Sequence, residues 1–500
     1  MSVQDSARAT ENARLYAVFF SLPDDVASGI LTELRSKCEG VEFVGSRIVS
    51  HPGKDAMDYA IQGNPEVRID DKQSNAVLQE IAASKDNLDG LILFFGQFCD
   101  RRYFLTGLPT LLVDYNAFPS LQIGFKDAVA LAKRLGTRFI TATYSTSDLA
   151  EAARAARLDD LAGKVQLFSA LRKMKHTKIM DVQVRGFGAQ PHEHWWRLNQ
   201  EVYLQTLKDV FGTQVSIVDY RDLFNEYGRV EENQAKEIAG RWLAGQRPTQ
   251  SIKNARNVGG VTEEEVTKAA RVYLAAEKLM KEEACNAITL DATTWAQCET
   301  FAHSIGEDYL VSASLPLTEF RLHDIPACCQ SDMEGLVTQA LGEYITGAPG
   351  LHGDFTIDPF NDVAQVCHCN APINPHGDDY RAPYTIGGEP RRRPQAYVDL
   401  PQEGPVTVIK INVLERRISV WTGELVSGES VYKDFFESCC CTKLIARTNA
   451  RAIYENYDYR VFGNHSSAFY GEFRDQIKRV ASWVGFEVIQ EDRHEVGSRA

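Results

Sequence analysis

The sequence predicts an α/β protein: two doubly wound parallel-sheet α/β domains followed by a mainly antiparallel β domain. Three observations carry this. Fully apolar runs such as Leu91–Phe95 (LILFF) read as strands buried on both faces. Helical patterns alternate with such runs as far as Lys175, and again from Thr177 to Glu282. After about Gly350 that rhythm stops, turn residues cluster from Asn370 to Pro405, and alternating β-rich runs come next.

In the first region (1–175) strands are expected at Leu15–Phe20, Leu91–Phe95, Thr110–Val113 and Phe139–Thr143. Helices are expected at Asp25–Ser36, Phe125–Leu135 and Thr146–Leu158. The second region (176–350) opens with strand Ile179–Val184, which runs into Arg185-Gly186-Phe187-Gly188. Helix Arg197–Phe211, strand Gln214–Asp219 and helix Glu231–Ala244 come after it. Thr262 caps a strong helix to Glu282, and Glu265 completes its capping box. Strand Ala287–Leu290 delivers Asp291 at its carboxyl end, where open α/β sheets bind ligands; the alternative is a cap for the next helix. In the third region (351–500), Val406–Ile411 and Ile418–Trp421 form a hairpin across the charged turn LERR. A helix Ala468–Val484, with Phe469, Phe473, Ile477, Val480 and Val484 on one face, and a strand Phe486–Ile489 close the chain.

The 500 residues are too many for one core. Hydrophobic residues at 44% and charged residues at 24% are ordinary for a globular chain. Lys plus Arg is 54 against 68 for Asp plus Glu, a net charge of -14, which argues against nucleic acid as a partner because no phosphate-neutralising surplus exists. The single basic run, Arg391–Arg393, reads as a solvated loop before Pro394. No apolar stretch reaches the roughly 18 residues of a membrane helix, and MSVQDSARATENAR has no apolar signal core, so a soluble cytoplasmic protein is expected. Eleven cysteines without paired CxxC knuckles read as reduced, mostly buried thiols. Cys367 and Cys369 flank His368, but strand alternation is expected to point both thiols away from it.

The chemistry concentrates between Pro326 and Pro372 (PACCQSDMEGLVTQALGEYITGAPGLHGDFTIDPFNDVAQVCHCNAP). Ser331-x-x-Glu334 reads as a capping box, with Gly347 ending the helix and Pro349 just beyond. Gln330 and Asp332 flank that cap at the positive end of the helix, which favours oxygen ligands and anions. Asp354 comes after the Gly-containing loop LHGD, His368 ends an apolar strand, and His465 sits in the polar loop GNHSS before the last helix. Singly, each reads as a turn former or a core histidine. Together, carboxylates and imidazoles on element ends are what a divalent metal needs.

This order of elements resembles the L-fucose/L-arabinose isomerase superfamily. Gln330-Ser331-Asp332 looks like the family's acidic element before a helix, Asp354 like its second acidic ligand, and His368 like the metal histidine of the arabinose-isomerase branch. FGNHSSAFYGEFRDQIKRVASWVGFEVI looks like the closing histidine loop, helix and strand, and GPVTVIKINVLERRISVWTGEL like part of the C-terminal β domain. The likeness covers residues 320–500; the N-terminal half matches in rhythm and length alone.

The resemblance implies a homo-oligomeric enzyme, a trimer or hexamer, that binds a sugar and a divalent metal. Mn²⁺ is expected, with Mg²⁺ or Co²⁺ as alternatives, and a proton moves between C1 and C2 of an aldose through an enediol. It implies Asp354 and His465 as metal ligands, His368 and Gln330 completing the site, and Asp332 or Asp354 as the proton-transfer group. Arg185, His192, Trp195 and Asp291 are candidate substrate contacts, although Trp195-Trp196 also reads as the packed start of a helix.

The family's first residue is a glutamate that serves as ligand and base, and here it is Gln330. An amide cannot take a proton at neutral pH. Asp332 then supplies the base, or Asp354 acts with a metal-bound hydroxide, or the chemistry has changed to that of an epimerase, lyase or hydrolase on a modified sugar. A non-catalytic sugar-binding protein is the remaining alternative.

Overall fold

The computed structural model describes residues 12–50, 71–96, 100–115, 122–145, 150–183, 199–254, 258–290, 313–389, 392–432 and 442–493. The chain divides into two compact units: Thr10–Lys173 with Gln476–Phe486, and Met174–Asp475 with the two chain ends.

In the first unit the strands are β1 (Ala13–Phe20), β2 (Val41–Val49), β3 (Gly90–Phe95), β4 (Thr110–Tyr115) and β5 (Phe139–Tyr144). They form one parallel sheet in the order β2-β1-β3-β4-β5. β3 is buried at every position, as its LILFF sequence requires. The edge strand β2 and the helix Asp71–Ser84 carry no such apolar run, and both lie outside the sequence-derived set. β2 carries the charged residues Glu42 and Arg47 and is fully buried at Phe43 and Val49 alone, the usual character of an edge. Helix Glu151–Lys175 is longer than the expected Thr146–Leu158.

The C-terminal stretch Gln476–Phe486 belongs to this first unit. Trp483 is fully buried there, stacks on Phe168 at 4.2 Å between ring centroids, and donates its indole N–H to the Thr110 carbonyl at 3.0 Å. Phe168 lies so close to Gly90 that a Cβ on residue 90 would stand 2.1 Å from its ring. The aromatic pair therefore depends on a glycine at the start of β3.

In the second unit β6 (Lys178–Gln183), β7 (Gln214–Asp219), β8 (Ala287–Leu290) and β9 (Ala327–Cys329) form a parallel sheet in the order β7-β6-β8-β9. The expected capping box of Thr262 and Glu265 is present on helix Glu263–Glu282, which buries ten residues. Beyond it come β10 (Leu351–Asp358), β11 (Val363–His368), the hairpin β12 (Tyr384–Glu389) and β13 (Arg392–Val398), then β14 (Pro405–Asn412), β15 (Arg417–Val426), β16 (Thr442–Arg447), β17 (His465–Tyr470) and β18 (Glu487–Gln490). Strands β14-β17-β10-β11-β16-β15 run antiparallel, and pairing of β15 back to β14 closes them into a six-stranded barrel, with β18 added in parallel on β15. Sheet and barrel share one hydrophobic core, which contains Leu290 and Ala327 as well as Val408, Trp421 and Ala468.

Three local expectations are corrected here. The expected helix Ala468–Val484 is in fact strand β17 and then helix Arg474–Val484. Pairing of β17 with both β10 and β14 overrides the helical spacing, and Gly471 (φ 116) breaks the chain between the two elements. His465 accordingly opens a strand, and Asp354 lies within β10 rather than in a loop. The turn-rich stretch Asn370–Pro405 contains the β12–β13 hairpin. Among the described residues no helix is long and apolar enough to cross a membrane.

Trp483→Ala is expected to lower the stability of the first unit by about 3–5 kcal/mol, the usual range for emptying a buried tryptophan site. Urea unfolding monitored by circular dichroism measures this; a loss under ~1 kcal/mol would mean that the indole is not structurally required.

Candidate metal centre

The centre is built at the carboxyl end of β9. Gln330 and Ser331 both adopt left-handed backbone (φ 67 and 54), which turns the chain from strand into the helix Met333–Thr346. Two successive left-handed residues with side chains cost roughly 1–2 kcal/mol each. Two ties hold the turn: the Ser331 N–H donates to the Leu290 carbonyl at 3.2 Å, and the Ser331 hydroxyl donates to Asp181 on β6. The N-cap of the helix is Asp332, whose carboxylate accepts the Gly335 N–H at 2.7 Å. The expected Ser331–Glu334 capping box is therefore not formed, because Ser331 commits its hydroxyl to the neighbouring strand. Gly347 ends the helix as expected, in left-handed conformation.

Asp332 is almost completely buried, and three basic side chains converge on its Oδ2. His465 Nδ1 donates to it at 3.0 Å, Lys410 Nζ at 3.2 Å, and His352 Nε2 lies 3.3 Å away. Burial alone would push this carboxyl up, but the Lys410 ammonium and the two imidazoles outweigh it and hold Asp332 well below the usual carboxylate range. His352 and His465 are delivered by paired strands: the register sets Asp354 opposite His465 and His352 opposite Ser467, so all four share a sheet face. Helix and strand meet closely there. A Cβ at Gly335 would stand 2.2 Å from the His352 ring.

The two imidazoles differ. Burial pulls His352 down to about 4, so it is neutral, and its Nδ1 lies 3.0 Å from the Ser467 hydroxyl. Burial opposes the charge on His465 as well. Asp332 and Asp354 on either side of it prevail, and it is raised to about 9. His465 Nε2 is 3.4 Å from Asp354 Oδ1, yet this contact lacks hydrogen-bond geometry. His352 Nε2 likewise sits within ion-pair distance of Asp332 without a hydrogen bond. These are two buried, unpartnered ring nitrogens beside a carboxylate.

Asp332, His352 and His465 can each offer one donor atom, all within 4.8 Å of one another. A buried nitrogen-nitrogen-oxygen set of this kind fits a divalent cation. In the tautomer where His352 Nδ1–H donates to Ser467, Nε2 presents a lone pair to a carboxylate oxygen, and two electron-rich atoms at 3.3 Å call for a positive charge near both. Lys410 supplies one such charge already.

Of the residues selected from sequence, Asp332 and His465 lie in this group. Asp354 touches it through His465, and its carboxylate also accepts from the Asn464 amide. His368 packs against His465 at 5.5 Å between rings, but its nitrogens face sulfur: Nε2 lies 3.2 Å from Cys329 Sγ and Nδ1 3.4 Å from Cys369 Sγ. Cys369 therefore turns toward His368, against the expectation from alternation, because β11 ends at His368 and the next residue is free of the pleat. Gln330 comes two residues before Asp332, and its buried Oε1 has no hydrogen bond. Arg185, His192, Trp195 and Asp291 lie outside the described residues.

Two members of the centre are absent from the sequence-derived set. His352 was legible as the residue two before Asp354 on one strand, hence on the same face. Lys410 was legible as a lone cation inside the apolar run VTVIKIN, where it is 3% exposed. In comparison with known proteins, the chain matches no family model and no curated protein.

Two outcomes test the centre. Gly335→Ala should crowd both His352 and Asp332 Oδ2 and reduce bound metal, measured by inductively coupled plasma mass spectrometry, while far-UV circular dichroism stays unchanged; full metal retention would exclude this group as the metal site. The metal-free His465 keeps its proton up to about 9, so metal uptake must release it. Apparent affinity should therefore rise by about tenfold per pH unit between pH 7 and pH 9, with proton release seen by a pH indicator. A flat profile would show that His465 is not displaced from its proton.

Proposed function

We propose that this protein is a metal-dependent sugar isomerase that moves a proton between adjacent carbons of an aldose, a pentose, a 6-deoxyhexose or a derivative. The observation that carries the reading is the buried Asp332–His352–His465 group with Asp354 at 3.4 Å from His465. Asp332, His352 and His465 hold the cation, Mn²⁺ being the expected one, and the bound cation supplies Lewis-acid polarisation of the sugar carbonyl and hydroxyl.

The remaining work falls to the chain's own groups. Lys410 keeps Asp332 ionised. Ser467 orients His352. Asp354, whose side chain is 28% exposed, is the carboxylate of the cluster that a substrate can reach, and the Asn464 amide fixes it. It takes the proton from the carbon beside the carbonyl and returns it to the neighbouring carbon. Asp332 is engaged by the Gly335 N–H, Lys410 and His465, which supports Asp354 rather than Asp332 as the base. The resemblance of residues 320–500 to the L-fucose/L-arabinose isomerases supports the same reading.

A second reading is favoured by Gln330 itself. An amide where the related enzymes have an acid suits a changed reaction on a modified sugar with the same metal.

An aldose panel with added Mn²⁺, run in deuterated water, separates the two. Ketose formation with deuterium entering the sugar, falling about 10²–10⁴-fold in Asp354→Asn while metal content holds, is the expected result. Stoichiometric metal with neither turnover nor deuterium exchange on any aldose would overturn the isomerase assignment.

A further inference from the structure

A cavity of about 290 Å³ lies in the second unit and uses no residue of the metal centre. Helix Glu232–Ala244, helix Ser314–Leu322 and the strands β12 and β13 contribute to its walls. Trp242, Leu315, Leu322 and Ile373 supply apolar surface, and three arginines, Arg241, Arg247 and Arg381, supply charge. The single lining carboxylate is Glu319, and it is already neutralised. It accepts the Trp242 indole N–H at 2.8 Å, pairs with Arg241, and meets His323 Nε2 at 3.3 Å. The local excess of positive charge stands out in a chain of net charge -14.

The three arginines are not equivalent. Arg241 is engaged by Glu319. Arg381 turns its guanidinium onto carbonyls of its own turn, Asp378 O and Tyr380 O, each at 2.8 Å. Arg247 is fixed through its backbone, its N–H donating to the Tyr384 carbonyl at 2.8 Å. Among the described residues its guanidinium has no protein partner. The wall beside it is preformed: the Tyr384 hydroxyl donates to the Trp242 carbonyl at 2.8 Å, and Gly245 leaves the room this requires, since a Cβ there would stand 2.5 Å from that hydroxyl.

We propose that this cavity binds a small organic anion, a carboxylate or phosphate carried on an apolar body, with Arg247 as the anchoring charge. Guanidinium donors match both head groups in a planar fork, and an apolar wall with few polar anchors is the usual make-up of a small-molecule site. The volume sits at the small end of such sites, ~300 Å³, which suits a single ring or a short chain. A preformed wall spares the ligand the ordering penalty of building it.

Isothermal titration of the full-length protein with benzoate, phenyl phosphate, inorganic phosphate and benzyl alcohol tests this. Saturable binding of benzoate or phenyl phosphate is expected at one site per chain, with the tighter of the two identifying the head group. Benzyl alcohol should not bind. Arg247→Glu, an exposed position, should weaken binding by about tenfold or more, and Arg247→Lys by less, with metal content unchanged in both. The proposal falls if neither organic anion saturates, if inorganic phosphate binds as tightly as phenyl phosphate, or if wild type and Arg247→Glu respond alike. Metal loading and aldose turnover do not enter these readouts, so the isomerase reading can fail without touching this one.

Discussion

The arrangement of the second unit turns on one buried carboxylate. Removing an ion such as Asp332 from water carries a penalty of several kcal/mol unless other groups replace the hydration. Here a helix N-terminus, an ammonium and the His465 ring do so, with the His352 ring packed 3.3 Å away. Each partner comes from a different element: the helix Met333–Thr346, β14, β10 and β17. The carboxylate thus links the end of the parallel sheet to three strands of the barrel. Two left-handed residues, Gln330 and Ser331, accept backbone strain to place it.

The barrel makes that convergence reproducible. A closed sheet has no free edge along which a strand can slip, and a slip of one residue would turn His352, Asp354, His465 and Ser467 to the opposite face. Register and closure therefore do for these side chains what their own short-range sequence cannot. Glycines also permit close approaches around the centre. Gly335 faces His352, Gly342 faces the Phe469 ring, and Gly353 faces the Cys367 carbonyl, each at a separation that no side chain could occupy.

The architecture was legible where strands carry continuous apolar runs, as in β3, or where caps announce a helix, as at Thr262 and Gly347. It was not legible where tertiary pairing decided the outcome. The apolar positions of Ala468–Tyr470 continue the helical spacing of Arg474–Val484, yet pairing on both sides makes His465–Tyr470 a strand. The site shows the same division. Asp332 and His465 can be chosen from sequence because each is a polar residue beside an element boundary, and Asp354 because it comes just after a glycine. His352 and Lys410 sit inside apolar runs, and only the closed register shows that they point at one oxygen atom.

Charge balance gives the centre its direction. With Asp354 and Lys410 counted at their formal charges, the metal-free cluster is neutral: Asp332 is ionised, His465 protonated and His352 uncharged. A divalent cation that displaces the His465 proton leaves two negative charges against three positive ones. On the proposed isomerase reading, that net charge of one would suit an enediolate developing on a sugar better than it suits the neutral ground state. A site charged this way would bind that developing charge more strongly than the substrate, the condition for lowering a barrier. Lys410 is the residue that sets this sum. Without its ammonium, the loaded centre would be neutral before reaction, and Asp332 would lose the partner that contributes most to keeping it ionised.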